Sequence, residues 1–351
     1  MINTFIIISL LFSIVCFLPA FSITHWSFRG FDFIRMQLLF LQILLFILGL
    51  FLFEENNIAL LLSLVALFIA IIYQTSIILP YLPLKKVRHK QLDNAQTISI
   101  ISVNVLQKNK EYEKLIKLID DIQPDIVLTM ETNKAWEEAL GKIETDYPFT
   151  YKIPKENRYG MHFYTKLKVN SVKEHYFISD ETPAIEVHLE DKTNSNFVFF
   201  GIHPPPPSPT EKPTSRQKDG ELMKIAKLIR ELKIPAIATG DFNNVCWSRS
   251  AKLFSKVSGM KDARLKNGIH GSFPAGPVIF RIPIDLIFSS NGIEVNKIKT
   301  LTDVGSDHLP IFSKFTVTGP QKEEVKDVKS DVKKEANAII EEGYKAVEEE
   351  E

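Results

Sequence analysis

Cysteine is nearly absent from the 351 residues: Cys16 lies inside an apolar run and Cys246 far from it. Two such thiols exclude a disulfide framework and a multi-thiolate metal site, and they leave the redox compartment unread. Glycine (15) and proline (19) are too few for a collagen-like or low-complexity chain. No repeat of fixed period appears, which excludes a repeat architecture. Net charge is lacking too, since 42 basic residues balance 42 acidic ones, but the balance hides three unequal parts. Residues 1–84 carry two Arg against three acids, 85–318 carry 34 basic residues against 28 acidic ones, and 319–351 carry six Lys against eleven acids. The mildly basic middle suits an anionic substrate and falls short of a surface built to grip nucleic acid.

What is plentiful is apolar sequence in the first 84 residues. Ile2–Ile23 and Ile58–Leu79 hold no charge, and Met36–Phe53 has only Gln37 and Gln42 as strong polar groups. A bilayer-spanning helix needs about 20 apolar residues, so three transmembrane helices are expected over 1–84. Trp26 and Arg29 after the first run, and Tyr81 and Pro83 after the third, suit the membrane interface. Ala20-Phe21-Ser22 offers the small residues of a signal-cleavage site, whereas Met1–Asn3 lacks a basic start. With three spans, the loop Thr24–Arg35 and everything after Leu79 share a side. Arg29, Arg35, Lys85, Lys86, Arg88 and Lys90 all flank that side and none flanks the other, which puts the large domain in the cytoplasm of an integral membrane protein. Spans with no buried charge pair offer no ion pathway and argue against a transporter.

A linker over 85–96 leads to a soluble domain over 97–318. Ile98–Val103 reads as a strand, and Lys110–Ile122 as an amphipathic helix broken by Pro124-Asp125. Further strands are expected at Ile126–Met130, His162–Tyr164, Ala184–Leu189, Phe197–Ile202, Ala236–Thr239, Ile284–Phe288 and Ile311–Thr316, with a helix at Arg216–Lys233. The order indicates a layered α/β domain with mixed sheets. Residues 319–351 read as an acidic tail, a solvated, frayed helix or disordered, with Val325, Val328, Val332 and Ile339 at partly filled heptad positions.

Four segments place polar side chains in or beside strands. Glu131 follows Met130; Gly240-Asp241-Phe242-Asn243 leaves an apolar strand through a glycine that permits a tight exit. Asp285 sits inside the apolar strand Ile284–Phe288, where an unpaired carboxylate is costly, so it requires a partner. Ser306-Asp307-His308 precedes the last strand. Several oxygen ligands and an imidazole, without thiolate, point to Mg²⁺ or Mn²⁺.

Taken in order, Asn104, Glu131, His203 after Phe199-Phe200-Gly201-Ile202, Gly240-Asp241-Phe242-Asn243, Ile284-Asp285 and Ser306-Asp307-His308 resemble the motif set of the endonuclease/exonuclease/phosphatase family over Thr97–Val317. The chain is especially similar to a bacterial branch with several N-terminal spans, in which the His precedes a Pro-rich loop, here Pro204–Pro209, and an Arg, here Arg216. The resemblance implies a four-layer α/β sandwich of two mixed sheets with helices outside. It implies Glu131 as main metal ligand with Asn104 and Asp307 near the metal, and Asp241 as the group that orients or deprotonates the attacking water. Asn243 then binds the scissile phosphate, and His308, held by Asp285, contacts a phosphoryl oxygen. His203 is a second imidazole near phosphate or leaving group, with Tyr159 and Arg216 as substrate contacts. Leu106, where several nucleases of the family carry an acidic or amide residue, removes a secondary metal contact.

The activity so implied is membrane-anchored, Mg²⁺-dependent hydrolysis of a phosphodiester or phosphomonoester, on a phospholipid headgroup, a small phosphate or nucleic acid. A nuclease and a catalytically silent membrane scaffold are the alternatives.

Overall fold

A computed structural model describes residues 2–53, 56–84, 97–319 and 327–350. The expected linker over 85–96 and the first part of the expected tail, 320–326, lie outside the described residues.

The N-terminal part holds α1 (Ile2–Val15), α2 (Trp26–Phe33), α3 (Arg35–Phe51) and α4 (Ile58–Ile78). Ile2–Ala20 and Ile58–Tyr81 are long and apolar enough to cross a bilayer, and α2 with α3, bent by 70°, makes a third span if the pair counts as one. The loop expected over Thr24–Arg35 is instead largely α2, entered through His25, whose ring accepts from Ser27 N. A buried charge pair does exist here, contrary to the sequence expectation: Arg35 Nη2 meets Asp32 Oδ1 at 2.6 Å. Arg35 also donates to Gln74 Oε1, Gln74 to Gln42 Oε1, and Gln42 to the Phe12 carbonyl, so each member of this chain of polar groups has a partner that offsets its desolvation. The sequence hid this pair because both residues lie between apolar runs, at the end of the bundle that faces the soluble domain.

That domain contains β1 (Ile98–Asn104), α5 (Tyr112–Ile122), β2 (Ile126–Met130), α6 (Lys134–Leu140), β3 (Phe149–Ile153), β4 (Met161–Thr165) and β5 (Lys168–His175). It continues with β6 (Ala184–Glu190), β7 (Asn196–Ile202), α7 (Arg216–Glu231), β8 (Ala236–Asp241), α8 (Arg249–Ser258) and β9 (Lys261–Asp262). β10 (Asp285–Ser289), β11 (Ile293–Thr300), β12 (Ile311–Val317) and the C-terminal α9 (Ser330–Glu348) complete it. Two six-stranded mixed sheets form, in the orders β11-β12-β1-β2-β4-β3 and β5-β6-β7-β8-β10-β9.

The sheets face one another across Ile100, Leu128, Met161 and Phe163 on one side and Val187, Phe199, Ile237 and Ile287 on the other. Leu115, Ile119 and Trp136 of α5 and α6 cover the outer face of the first sheet, and Leu222, Phe254 and Ile340 of α7, α8 and α9 cover the second. This is the expected four-layer α/β sandwich. The expected strands all form; β3, β5, β9 and β11 were not expected, since their faces are only partly buried and their apolar pattern is weak.

α9 corrects the reading of a solvated or frayed tail. Its small residues Ala336, Gly343 and Ala346 are buried, and Gly343 lies against Gly220 of α7, a close approach that a larger side chain on either helix would obstruct. Partly filled heptad positions concealed this because the docking face is built of small residues rather than of a leucine stripe.

Candidate active site

Side-chain alternation along the strands builds the site. In β1, Ile98 and Ile100 point between the sheets, so Asn104 ends the same face; in β8, Ile237 does so and Asp241 follows in phase. Asp285 shares its face with Ile287, and His203 is in phase with Phe197 and Phe199 just beyond β7. Asp285 is the register partner of Asp241 across β8 and β10. Four polar side chains thus gather where the strand ends of both sheets meet, and Glu131 and His308 join them from the loops. Glu131 is the exception to the alternation, since Met130 already points inward; its φ of +60° re-aims the chain, and Asn104 Nδ2 donates to Glu131 Oε1 at 2.9 Å. The same amide nitrogen donates to Asp241 Oδ2 at 3.1 Å and so ties the two sheets together.

Left-handed backbone recurs here, at Leu106 (φ +57°), Glu131 and Asn243 (φ +49°), each costing on the order of 1–2 kcal/mol for a residue with a side chain. Gly240 has φ +144°, and a Cβ there would stand 2.0 Å from the Ile202 carbonyl oxygen, so only glycine lets β8 pass β7.

His308 Nδ1 and Asp285 Oδ2 are 2.9 Å apart, and the other ring nitrogen, Nε2, is 3.6 Å from Asp241 Oδ2. His203 Nε2 approaches the same oxygen at 3.7 Å, while its Nδ1 is buried without a partner. Burial disfavours the charged imidazole of His308, but the Asp285 and Asp241 carboxylates outweigh it and push its pKa up to about 10. Burial also raises the pKa of Asp241; the Asp285 charge adds to this while His308 and His203 oppose it. The site therefore pairs a cationic imidazole with a carboxylate poised to take a proton.

Ser306 is marked by its motif, but its contacts and several other neighbours have no signal in the sequence. Ser306 Oγ donates to the Asn104 carbonyl and accepts from His308 N, the Phe273 ring lies 4.8 Å from the His308 ring, and Arg264 donates to the Asp285 carbonyl. Gln107 N donates to Glu131 Oε2, and the buried Lys218 ammonium donates to the Asn243 carbonyl. Loops, the segment after β9 and helix α7 bring these groups in, so spacing along the chain does not reveal them.

Four expected residues are held by partners of their own. Asn243 N closes a turn on Asp241 Oδ1, and Asn243 Nδ2 donates to the Pro204 carbonyl, so one amide hydrogen at most remains for a phosphate. The Tyr159 ring lies 5.6 Å from His203, but its hydroxyl is held by Glu211 of the Pro-rich loop, and burial with that hydrogen bond raises its pKa. Arg216 is not brought to the site: its guanidinium is bound by Glu349 and lies 3.7 Å from Glu342, both on α9. Asp307 is exposed beside His308, and its carbonyl accepts from Ala275 N.

The donor set suits a divalent cation. Asp241, Asp285 and His308 lie within 4.8 Å of one another, with His308 as the cationic partner of the two carboxylates, and Asn104 links Asp241 to the half-buried Glu131 carboxylate. Among the described residues no Lys, Arg or His pairs with Glu131, which is met by the neutral donors Asn104 Nδ2 and Gln107 N, so its anionic charge is open to a metal.

A model of the Endonuclease/Exonuclease/phosphatase family matches residues 101–308. The chain belongs to this family. Its members are hydrolases of phosphate esters, and the chain is such an enzyme. No curated protein sequence matches it. Among solved structures, D. rerio TDP2 with a single-strand DNA product is similar at 17% identity, covering 63% of this chain and 99% of that one, with a TM-score of 0.54. The human Nocturnin catalytic domain with bound sulfate is 18% identical over 64% and 96% of the chains, TM-score 0.50. A mannosyl-6-phosphatase of Bacteroides thetaiotaomicron is 21% identical over 62% and 99%, TM-score 0.50. At these identities the likeness establishes the fold.

Proposed function

We propose that the chain is a membrane-anchored, Mg²⁺-dependent phosphohydrolase that cleaves a phosphodiester or phosphomonoester by attack of water. The carrying observation is the relay Asp285–His308–Asp241 beside Glu131. Asp241, its carboxyl raised by burial, accepts the proton of the attacking water. His308, charged over the neutral range, donates to a phosphoryl oxygen while Asp285 holds its tautomer and orientation. Asn243 offers its remaining amide hydrogen to the phosphate, and His203 serves the phosphate or leaving group. Glu131 with Asn104 and Asp307 would hold Mg²⁺ or Mn²⁺, which would supply Lewis-acid neutralisation of the phosphoryl charge.

The apolar helices support anchoring, and the excess of Lys and Arg on the domain side supports a cytoplasmic active site. The test is hydrolysis by the full chain in detergent, with Mg²⁺ or with chelator, on phospholipids, oligonucleotides, sugar phosphates and bis-p-nitrophenyl phosphate, beside Asp241→Ala. Mg²⁺-dependent turnover lost in Asp241→Ala is expected. Turnover that persists in the variant removes the site assignment, and no turnover on any substrate favours the silent scaffold. The fold of TDP2 keeps a nuclease in view; oligonucleotide binding that falls steeply with salt would support it.

A further inference from the structure

A cavity of about 720 Å³ opens where the apolar helices meet the catalytic domain. Phe12 and Val15 of α1, Phe33 of α2 and Leu38 of α3 form one wall, and Phe280 and Ile282 of the segment 272–283 form the other; Gln37 is the single polar residue in the lining. Its size lies within the roughly 300–1,000 Å³ typical of sites that bury a small ligand.

The segment 272–283 is shared with the active site. Ser272 N and Phe273 N donate to the Ile282 carbonyl, and Ile282 N donates to the Phe273 carbonyl, which folds the segment into a strap. Phe273 lies against the His308 ring, the Ser272 carbonyl accepts from Leu309 N, and Ala275 N donates to the Asp307 carbonyl. One strap therefore walls the cavity with Phe280 and Ile282 and braces the catalytic imidazole with Phe273. Its tip is apolar and bare: Val278 and Ile279 are 71% exposed and Phe280 54%. Gln37 in the first turn of α3 donates to the Ile279 carbonyl at 2.8 Å and pins that tip beside the apolar helices. Clustered exposed side chains of this size need an apolar medium, and for helices of spanning length that medium is the bilayer.

We propose that this cavity seats an acyl chain of a membrane phospholipid while Val278–Phe280 enters the bilayer surface, so that the headgroup phosphate ester is delivered to His308 and Asp241. The proposal rests on the phosphohydrolase reading and names the substrate class of that site. Binding energy from a remote acyl chain raises turnover of the long-chain ester without touching the chemistry of a water-soluble one.

The experiment uses the full chain in phosphatidylcholine vesicles, with Leu41→Trp, at a lining residue on α3, to fill the cavity and Phe280→Ser to remove apolar wall and tip. Two substrates, dioleoyl-phosphatidylglycerol and bis-p-nitrophenyl phosphate, are compared, and vesicles containing a phosphatidylcholine with a diazirine acyl chain are photolysed. Both variants are expected to lose at least about tenfold in kcat/KM on the lipid, to stay within about twofold on the soluble ester, and to lose crosslinks to the 272–283 peptide. Equal effects on both substrates, or none on either, with the crosslinks retained, overturn the proposal while leaving the catalytic reading intact. If neither substrate is turned over, the catalytic reading fails and the crosslinks decide the cavity: crosslinks at 272–283 that Leu41→Trp abolishes support an acyl site, and any other pattern overturns it.

Discussion

His308 and Asp285 are joined at 2.9 Å through Nδ1 and a carboxylate oxygen, and the opposite ring nitrogen faces Asp241. Asp285→Asn and His308→Ala should each lower kcat by about 10² or more while leaving the fold intact by circular dichroism, because both interrupt proton donation at the phosphoryl group. Rates within a few-fold of wild type in either variant would contradict the roles given to the pair. The relation also carries a stability term. The folded pKa of about 10 exceeds the ordinary 6.5, so the charged pair stabilises the fold below about 6.5 and this contribution is lost as pH rises through about 10.

Glu131 is met by the neutral donors Asn104 Nδ2 and Gln107 N, which keep its carboxylate in place without cancelling its charge. Glu131→Gln should keep the fold and raise the Mg²⁺ concentration for half-maximal activity by about tenfold or more, with weaker Mg²⁺ binding by calorimetry. An unchanged Mg²⁺ requirement would move the metal to other ligands.

Glu221, buried in α7, gives a pH test away from the site. Burial pushes its pKa from the ordinary 4.5 to about 8, against the pull of hydrogen bonds from Ile178 and Phe177. The folded state therefore binds a proton that the unfolded chain releases. Its stability contribution is fully present below about 4.5 and disappears as pH rises through about 8. Glu221→Gln should gain in melting temperature over wild type from pH 5 to pH 8; a constant difference across that range would refute the burial argument.

Ile340 of α9 is buried against the second sheet's helical layer. Ile340→Ala should cost about 2–4 kcal/mol in chemical denaturation of the full chain, as for other core truncations. A cost near zero would mean that α9 is not part of the folded domain.

Arg216 is bound by Glu349 and Glu342 and does not reach the site. Arg216→Ala is accordingly expected to leave KM within about twofold of wild type, since an ion pair with exposed partners contributes little and lies outside the chemistry. A rise in KM of tenfold or more would return Arg216 to the substrate.

The strand-end residues were legible in the sequence because period-two alternation and strand order are local properties. Asn104, Asp241 and Asp285 each terminate or interrupt an apolar alternation, and a buried Asp inside a strand implies a partner before one is seen. The apolar runs likewise declared themselves by length. The pairing of Asp285 with His308 was implied by the family resemblance, whereas only the tertiary structure decided that Arg216 turns to α9, that the small residues of α9 dock on Gly220, and that the strap 272–283 links the apolar helices to the imidazole. Those relations join groups far apart along the chain, and they depend on which surfaces become buried together, a property that no local pattern of side chains encodes.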